Sequence, residues 1–405
     1  MKDSVKAGWI EIPLGEIAEL RSRIGWKGLT AKEYTKSGPR FLSVHSLNYG
    51  DYVDFRDAFH ISQERYDESP EIMLQQDDIL ICKDGAGIGK LGVVPEVLEP
   101  TTINSSLLLI RPGPKVLPKY LYFCLLSPYF QEIVQSRLEG ATTPHLYQRD
   151  ITTFPVFLPP HEEQQRIVAV LDEAFEGLAR ARAHAEANLQ NARELFGSAL
   201  QAALHDETIS WNETLLADLG DVVTGSTPKT SDKGNLGDHI PFIKPGDFLP
   251  DGSLVYDNQG LSEQGAAVSR VLPGGSALMV CIGATIGKAG YSDRPIATNQ
   301  QINAVAPKDG ISGEYLYYQM LTPEFQADVM RQAGQATLPI INKGKWSKLK
   351  VRMPSDLTKQ AEIVEKLSSI RAKVDAASAQ YKAQTLDLDD LRQSLLQKAF
   401  AGELT

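Results

Sequence analysis

The sequence predicts an α+β protein in which two globular domains with twisted or barrel-like mixed sheets are separated by a long antiparallel two-helix coiled coil. The two halves are predicted to be related as a pseudo-twofold internal repeat. Three observations lead to this prediction. The chain has 405 residues, more than the ~150 of a typical domain. One series of sequence segments occurs twice along the chain, and in two long segments the apolar residues recur with the period of a helix.

The repeat is visible in ordered segments at a nearly constant offset. Tyr120–Gln131 contains Tyr-Leu-Tyr followed by Ser-Pro-x-Phe-Gln, and Tyr315–Gln326 repeats this order 195 positions later with Thr for Ser. Gly85–Lys90 returns as Gly283–Lys288, 198 positions later. Around these segments lie short β-type runs broken by Gly, Pro, Asn and Asp, which predict a mixed domain with a strongly twisted sheet. The chain is therefore predicted to contain two copies of one fold.

Each copy is followed by a segment whose apolar residues alternate at spacings of three and four, the pattern of a coiled coil. Pro159-Pro160 and Pro354 mark the predicted helix starts, and Gly402 the end of the second helix. Each helix is predicted to have roughly 42 residues and a length of about 60 Å. Asn188 and Gln384 are predicted to be buried amides that select one register. The predicted seam comprises Ile167, Leu171, Leu178, Asn188 and Leu195, with Ile363, Leu367, Val374, Gln384, Leu391 and Leu395.

The predicted division of the chain follows from this alternation. Residues 1–158 form the first globular domain, 159–207 the central helical region, 208–353 the second globular domain and 354–405 the C-terminal helical region. Because each helix follows its own domain, antiparallel pairing of the helices is expected.

Composition excludes several classes of protein. Hydrophobic residues at 42% and charged residues at 23% are typical of a folded protein, and no apolar run approaches the ~18 residues of a membrane helix. The start of the chain has no apolar signal region, and the three cysteines are far apart, so we expect a cytoplasmic protein without membrane attachment. The net charge is −10, but half of this excess lies in residues 161–210, where 4 Lys/Arg face 9 Asp/Glu.

Sequence motifs for catalysis and metal binding are missing. There is no HExxH, GxSxG or Asn/Asp-Pro-Pro-Tyr/Phe segment, so neither a metal site nor a catalytic residue is predicted. Lys90 and Lys288 follow Gly-x-x-x-Gly, which lacks the spacing of a phosphate-binding P-loop. Two interpretations stay open for these segments: a glycine-enabled tight turn, or a lysine-bearing loop that touches a phosphate backbone.

Several segments together resemble one known family. The helix entry Leu158–Gln164 reads Leu-Pro-Pro-His-Glu-Glu-Gln, and the chain ends with Gln-Lys-Ala-Phe-Ala-Gly-Glu-Leu at Gln397–Leu404. With the Gly-x-x-x-Gly-Lys turns and the two alternating domains and helices, the chain resembles the specificity (S) subunit of type I restriction–modification systems over essentially its whole length. The second helix entry, Met353–Gln360, departs from the pattern because it lacks the double proline.

The resemblance implies a non-catalytic reader of double-stranded DNA. Each globular domain would be a target-recognition domain for one half of a bipartite, asymmetric site. The helices would set the spacing and dock two modification (methyltransferase) subunits. S-adenosylmethionine, ATP and Mg are expected in partner subunits, which include the restriction/translocase subunits, and no cofactor is expected in this chain. Two alternatives remain: a coiled-coil scaffold or adhesion protein presenting two ligand-binding domains, or the specificity subunit of a related two-part nuclease–methylase.

Given this implication, basic, amide and other polar residues become candidate DNA contacts. The best stretch is Lys343–Arg352, with lysines around Trp346, although a strand edge guarded by lysines gives the same pattern. Asn104 and Asn299-Gln300 suit adenine edges, or else end a loop structurally. The predicted DNA-contacting residues are Arg21, Arg23, Lys27, Lys90, Asn104, Thr143, His145, Tyr147, Arg149, Lys288, Asn299, Gln300, Thr337, Lys343, Lys345 and Lys348.

Overall fold

The computed structural model describes residues 6–23, 29–138, 145–229, 231–249, 251–334 and 338–404. Contacts between Cα atoms divide the chain into two units. The first unit contains residues 1–185 and 383–405, and the second contains residues 186–382. Each unit therefore combines one globular domain with one part of each long helix.

The first globular domain and the long helix after it contain nine strands and five helices among the described residues. The strands are β1 (Ile10–Pro13), β2 (Ala18–Arg21), β3 (Thr35–Leu42), β4 (Phe59–His60), β5 (Ile79–Cys82), β6 (Leu91–Val93), β7 (Thr101–Ile103), β8 (Leu107–Pro112) and β9 (Pro155–Leu158). The helices are α1 (Gln63–Asp67), α2 (Pro118–Leu126), α3 (Pro128–Leu138), α4 (Gln148–Thr152) and α5 (His161–Leu204).

The second globular domain and the last helix repeat this series with additions. The strands are β10 (Trp211–Leu215), β11 (Gly220–Thr224), β12 (Leu236–Ile243), β13 (Gly260–Leu261), β14 (Val271–Leu272), β15 (Ser276–Val280), β16 (Ala289–Ser292), β17 (Ile296–Thr298), β18 (Ile302–Pro307) and β19 (Lys350–Pro354). The helices are α6 (Leu216–Leu219), α7 (Glu263–Ala267), α8 (Gly313–Met320), α9 (Pro323–Ala333), α10 (Lys343–Trp346) and α11 (Lys359–Phe400).

The sheets of the two units share one topology, to which the second unit adds strand β14 beside β17. An antiparallel sheet has the order β2-β8-β5-β6 in the first unit and β11-β18-β15-β16 in the second. A mixed sheet contains the parallel pair β3-β7 or β12-β17. Successive side chains of β5 point into two different cores, with Ile79 and Ile81 in one and Leu80 and Cys82 in the other. This two-residue alternation explains why the strand is apolar throughout.

A glutamine holds the Gly-x-x-x-Gly-Lys turn in both copies. The side-chain amide of Gln131 donates to the carbonyl of Gly89 at 3.2 Å, and Gln326 does the same to Gly287 at 2.9 Å. Both glycines have positive φ angles, +87° and +91°. A Cβ at these positions would lie only 2.8 and 2.4 Å from the glutamine Oε1. These segments are thus turns that require glycine.

A second pair of glutamines fixes the start of each long helix to its domain. Gln164 of α5 accepts a hydrogen bond from the backbone N–H of Leu117 at 2.9 Å, and Gln360 of α11 accepts one from Ser312 at 3.0 Å. Each side-chain amide also donates to two nearby carbonyl oxygens. Both glutamines are almost completely buried. The helices therefore leave their domains at positions set by matching contacts.

Within each unit the two long helices run antiparallel. In the first unit, α5 residues Phe175 and Arg182 contact α11 residues Arg392 and Asp389, so the numbering rises along one helix as it falls along the other. In the second unit, Phe196 of α5 contacts Arg371 of α11, whereas Leu204 at the end of α5 contacts Arg352, which precedes α11. The predicted antiparallel two-helix arrangement is confirmed in both units.

The predicted seam is correct only near the start of each helix. Ile167, Leu171, Ile363, Leu367 and Val374 are buried, whereas Leu178 and Leu395 are half-buried.

Further along the helices, the predicted seam is wrong. Leu195 and Leu391 are 60% and 48% exposed, and Asn188 and Gln384 are exposed, so these are not buried amides. The buried face has shifted by one residue, to Phe196 among others. The prediction used the 3.5-residue spacing of a supercoil, but a straight helix has 3.6 residues per turn, and its apolar face drifts by ~20° per heptad.

None of the described helices is long and apolar enough to cross a membrane.

Candidate nucleic-acid interface

Backbone and side-chain hydrogen bonds bring four predicted segments of the first unit together. Leu146 donates its N–H to Lys83 at 2.9 Å, and Lys83 donates to Ser106 at 2.9 Å. The side-chain amide of Gln148 donates to the carbonyl of Leu20 at 2.8 Å. We call the group of residues 20–22, 83–90, 104–106 and 145–149 the first loop surface. Arg21, Lys90, Asn104, His145, Tyr147 and Arg149 all belong to it.

Three side chains of the first loop surface, the half-buried His145 and the exposed Tyr147 and Arg149, bring planar polar groups together. His145 Nδ1 is hydrogen-bonded to Asp84 Oδ1. The rings of His145 and Tyr147 meet edge to face with centroids 4.4 Å apart, and the Arg149 guanidinium lies 4.9 Å from the Tyr147 ring. Tyr147 is 50% exposed. Such groups can stack on unpaired bases and donate to base edges or phosphates.

The second unit assembles an equivalent surface from the matching segments. Gly283 donates its N–H to Pro339 at 3.0 Å, and Cys281 donates to Gln301 at 2.7 Å. The Thr227 hydroxyl donates to Gln300 Oε1 at 2.6 Å. Residues 224–227, 281–288, 299–301 and 339–348 are called the second loop surface. Lys288, Asn299, Gln300, Lys343, Lys345 and Lys348 belong to it.

Lysines dominate the exposed charge of the second loop surface. Lys343 and Lys345 lie on the short helix α10 and Lys348 just beyond it, and all three are exposed. Trp346, predicted as an aromatic among these lysines, is instead buried, and its Nε1 donates to Met279 Sδ at 3.4 Å. Its indole fills the core because α10 turns that side inward. The surface therefore presents point charges suited to phosphates, without an aromatic plane.

The rest of the basic run belongs to strand β19. Lys350 pairs with Glu213 of β10 at 2.8 Å, and the Arg352 guanidinium lies 5.4 Å from the Trp211 ring. The strand-edge interpretation therefore describes this part of the run, where the basic side chains interact with the neighbouring strand.

The asparagines predicted to read adenine make local contacts. Asn104 Oδ1 accepts from the backbone N–H of Ser106 at 3.1 Å. Asn299 Oδ1 accepts from Gln301 at 3.1 Å, and its amide donates to Gln301 Oε1 at 2.9 Å. The structural alternative therefore accounts for both residues. Lys90 and Lys288 are exposed, and their ammonium groups contact Asn48 Oδ1 and the Phe248 carbonyl.

Arg23 is not a surface residue. It is only 2% exposed, its Nε donates to the Ile103 carbonyl at 3.1 Å, and its guanidinium lies over the Phe41 ring. Burial, reinforced by the nearby Arg65, lowers the pKa of Arg23. The prediction that Arg23 contacts DNA is wrong, because this side chain ties strands together inside the domain. Lys27, Thr143 and Thr337 lie outside the described residues.

Asp84 and Thr227 were missed by sequence reasoning. The signal for Asp84 is a difference between copies, since it precedes the glycine turn where the second copy has Ile282. Arg21, which was predicted, is exposed and pairs with Glu19. In the part of the chain that the structure covers, no three His, Cys, Asp or Glu side chains are grouped to hold a metal ion.

Comparison with known proteins decides the family. The model described as "Type I restriction modification DNA specificity domain" matches residues 6–184 and 209–384. The chain belongs to this family. It is 25% identical to the type I restriction enzyme HindI specificity subunit of Haemophilus influenzae, over 82% of this chain and 87% of that protein. It is 21% identical to the EcoBI specificity subunit of Escherichia coli, over 99% and 87%.

Solved structures share the fold. A chain from a structure concerning complex assembly of the type I R-M system matches with a TM-score of 0.79 and 20% identity, covering 99% of this chain and all of that chain. The HsdS subunit of Thermoanaerobacter tengcongensis matches with a TM-score of 0.58 and 20% identity, covering 100% and 99%. The protein is therefore a type I restriction–modification specificity subunit with two DNA-recognition domains. This decides against the scaffold or adhesion alternative.

Proposed function

We propose that each domain reads one half of a bipartite, asymmetric double-stranded DNA site through its loop surface. The proposal rests on one observation: the two domains place chemically different side chains at matching positions of the same backbone framework. Asp84 and His145 form an isolated β-bridge in the first unit, and Ile282 and Ile340 form the matching bridge in the second. Two surfaces of equal framework and unlike side chains suit two unlike half-sites.

The two loop surfaces would divide their contacts differently. In the first, Tyr147 and Arg149 offer a ring and a fork of donors for base edges. In the second, Lys343 and Lys345 would neutralise phosphates, and the 45% exposed Ile340 offers an apolar contact of the kind that suits a thymine methyl group.

The long helices would set the distance between the half-sites and dock two modification subunits. Half-sites about one helical turn apart, roughly 34 Å, face the same side of the duplex. The modification subunits would supply adenine methylation with S-adenosylmethionine, and restriction/translocase subunits would act with ATP and Mg. This chain would contribute recognition without catalysis, within a complex that we expect in the cytoplasm.

Mapping methylated adenines tests the proposal. In cells that contain this protein and its modification subunits, we expect one motif with two unlike half-sequences and a fixed gap. His145→Ala with Tyr147→Ala should relax only one half, and Thr227→Ala with Gln300→Ala only the other. Lys308→Ala, at the far end of β18 from the second loop surface, is the control. An uninterrupted motif, or relaxation of both halves by one pair of substitutions, would contradict the proposal.

The ruler function has a separate test. Four residues inserted near Asn188 lengthen α5 by about 6 Å and rotate its C-terminal part about the helix axis. The expected result is a changed gap with both half-sequences retained. Methylation at an altered half-sequence with the original gap would reject the ruler. Copurification of partner subunits distinguishes a type I complex from a two-part nuclease–methylase.

A further inference from the structure

The two long helices form an arginine–phenylalanine contact in each of the two units. In the first unit, the Arg392 guanidinium of α11 lies 4.8 Å from the ring of Phe175 on α5. In the second unit, Arg371 of α11 lies 4.6 Å from Phe196 of α5. The helices repeat with an offset of 196, so Phe175 corresponds to Arg371 and Phe196 to Arg392. Helix α5 thus supplies both phenylalanines and α11 both arginines.

Because both phenylalanines lie on α5 and both arginines on α11, an α5–α11 pair differs in charge from a pair of two α11 helices. In an antiparallel pair of two α11 helices from two copies of the chain, the same register would place Arg371 against Arg392 at both contacts. Two like charges held at close range repel each other. The α5–α11 pair has a cation on an aromatic ring instead, which is attractive.

A second contact discriminates against a pair of two α5 helices. Arg182 of α5 forms a salt bridge with Asp389 of α11. By the same offset, Arg182 corresponds to Ser378 and Asp389 to Arg193. Two α5 helices would therefore place Arg182 against Arg193 and bring positive charges together. Each pairing of like helices gains a repulsion that the α5–α11 pair lacks.

The first globular domain adds selectivity for α11. Arg392 Nη2 donates to Asp51 Oδ1 at 2.6 Å, and the Tyr122 hydroxyl donates to the same oxygen at 2.9 Å. The residue of α5 that corresponds to Arg392 is Phe196, which has no donor. An α5 helix in this place would leave the Asp51 carboxylate without its arginine.

We propose that these residues form a pairing code that admits an α5 helix only with an α11 helix and excludes pairs of like helices between two copies of the chain. The code is independent of DNA recognition. It is a device against self-association of a duplicated sequence, whose two helices otherwise offer similar apolar faces.

Full-length variants test the code by unfolding. The all-arginine variant, Phe175→Arg with Phe196→Arg, places Arg against Arg at both contacts, and its Tm should fall by roughly 4–8 °C. Adding Arg371→Phe with Arg392→Phe exchanges the residues and restores both contacts, so at least half of the loss should be recovered. Arg180→Phe, on the exposed side of α5, should change the Tm by less than about 2 °C. Equal Tm values for the all-arginine and exchanged variants would overturn the proposal.

Self-association gives a second readout. Arg371→Phe with Arg392→Phe alone removes the like-charge barrier between two α11 helices. By light scattering after gel filtration, this variant should dimerise increasingly as its concentration rises, whereas the unchanged chain and the exchanged variant should stay monomeric. A monomeric phenylalanine variant at every concentration, or a dimeric exchanged variant, would overturn the exclusion of like helices.

Discussion

The two globular domains build the same isolated bridge from opposite chemistries. His145 and Asp84 of the first domain form a hydrogen-bonded polar pair, whereas Ile340 and Ile282 of the second are apolar. Beneath both bridges the glycine turn is held in the same way by a glutamine. The framework is therefore fixed by buried backbone contacts, and the surface side chains are free to differ. Matched substitutions in the two domains test this separation, beginning with the core.

The largest effect is expected from Trp346, whose counterpart in the first domain is Ile151. Both side chains are buried. Trp346→Ala should reduce the free energy of unfolding by about 3–5 kcal/mol and Ile151→Ala by about 2–5 kcal/mol, because each leaves a cavity. Urea denaturation measures both. Lys343→Ala on the exposed side of the same helix is the control, with an expected change within about 0.5 kcal/mol. An unchanged stability of Trp346→Ala would contradict the observed packing.

Equal effects are expected from the two glutamines that anchor the long helices. Gln164→Ala and Gln360→Ala each leave a backbone N–H without its acceptor, which costs about 1–3 kcal/mol. Because the contacts match, the two losses should agree, again by urea denaturation. Gln165→Ala, which changes the exposed neighbour, is the control. A large loss in one domain only would show that the framework is not shared.

A smaller effect is expected in the salt dependence of DNA binding. Each phosphate contact contributes about 0.9 to the slope of log K against log salt concentration. Lys343→Ala with Lys345→Ala should therefore lower this slope by about 1.8 and weaken binding to all sequences. Arg149→Ala should lower it by no more than about 0.9. Fluorescence titrations with duplex DNA at several salt concentrations measure this, with Lys308→Ala as control. An unchanged slope for the lysine variant would reject phosphate contact by the second loop surface.

Sequence reasoning succeeded where a series of segments repeats along the chain. The duplication, the order of domains and helices, and the helix at His161 follow from ordered segments and prolines. It failed where the role of a residue depends on whether its side chain is buried or exposed. Arg23 looks like any exposed arginine in the sequence, and only the folded chain shows that it points inward. Trp346 sits among lysines in the sequence, yet its side chain is buried in the core while those of Lys343 and Lys345 are exposed.

The candidate surface was predicted only in part: the sequence indicated its segments but not how they come together. The segment around Lys90 was found because it repeats between the copies, that around Lys343 because it carries charge, and that around His145 because it is the first-copy counterpart of the charged run. Their convergence depends on hydrogen bonds between loops far apart in the sequence, such as that of Leu146 with Lys83. The 3.5-residue seam erred at Leu195 because the helix follows its own 3.6-residue period.

The sharpest test of whether the framework is independent of the surface side chains places the bridge residues of one domain in the other. Asp84→Ile with His145→Ile gives the first domain the apolar pair of the second. Both polar side chains are about two-thirds buried, and a hydrogen bond of this kind contributes a net ~0.5–1.5 kcal/mol, so little stability should be lost. The half-sequence read by the first domain should change, as adenine methylation would show, while the other half stays. Unfolding of the variant would mean that the pair holds the framework, and the two domains would then differ in more than their reading surface.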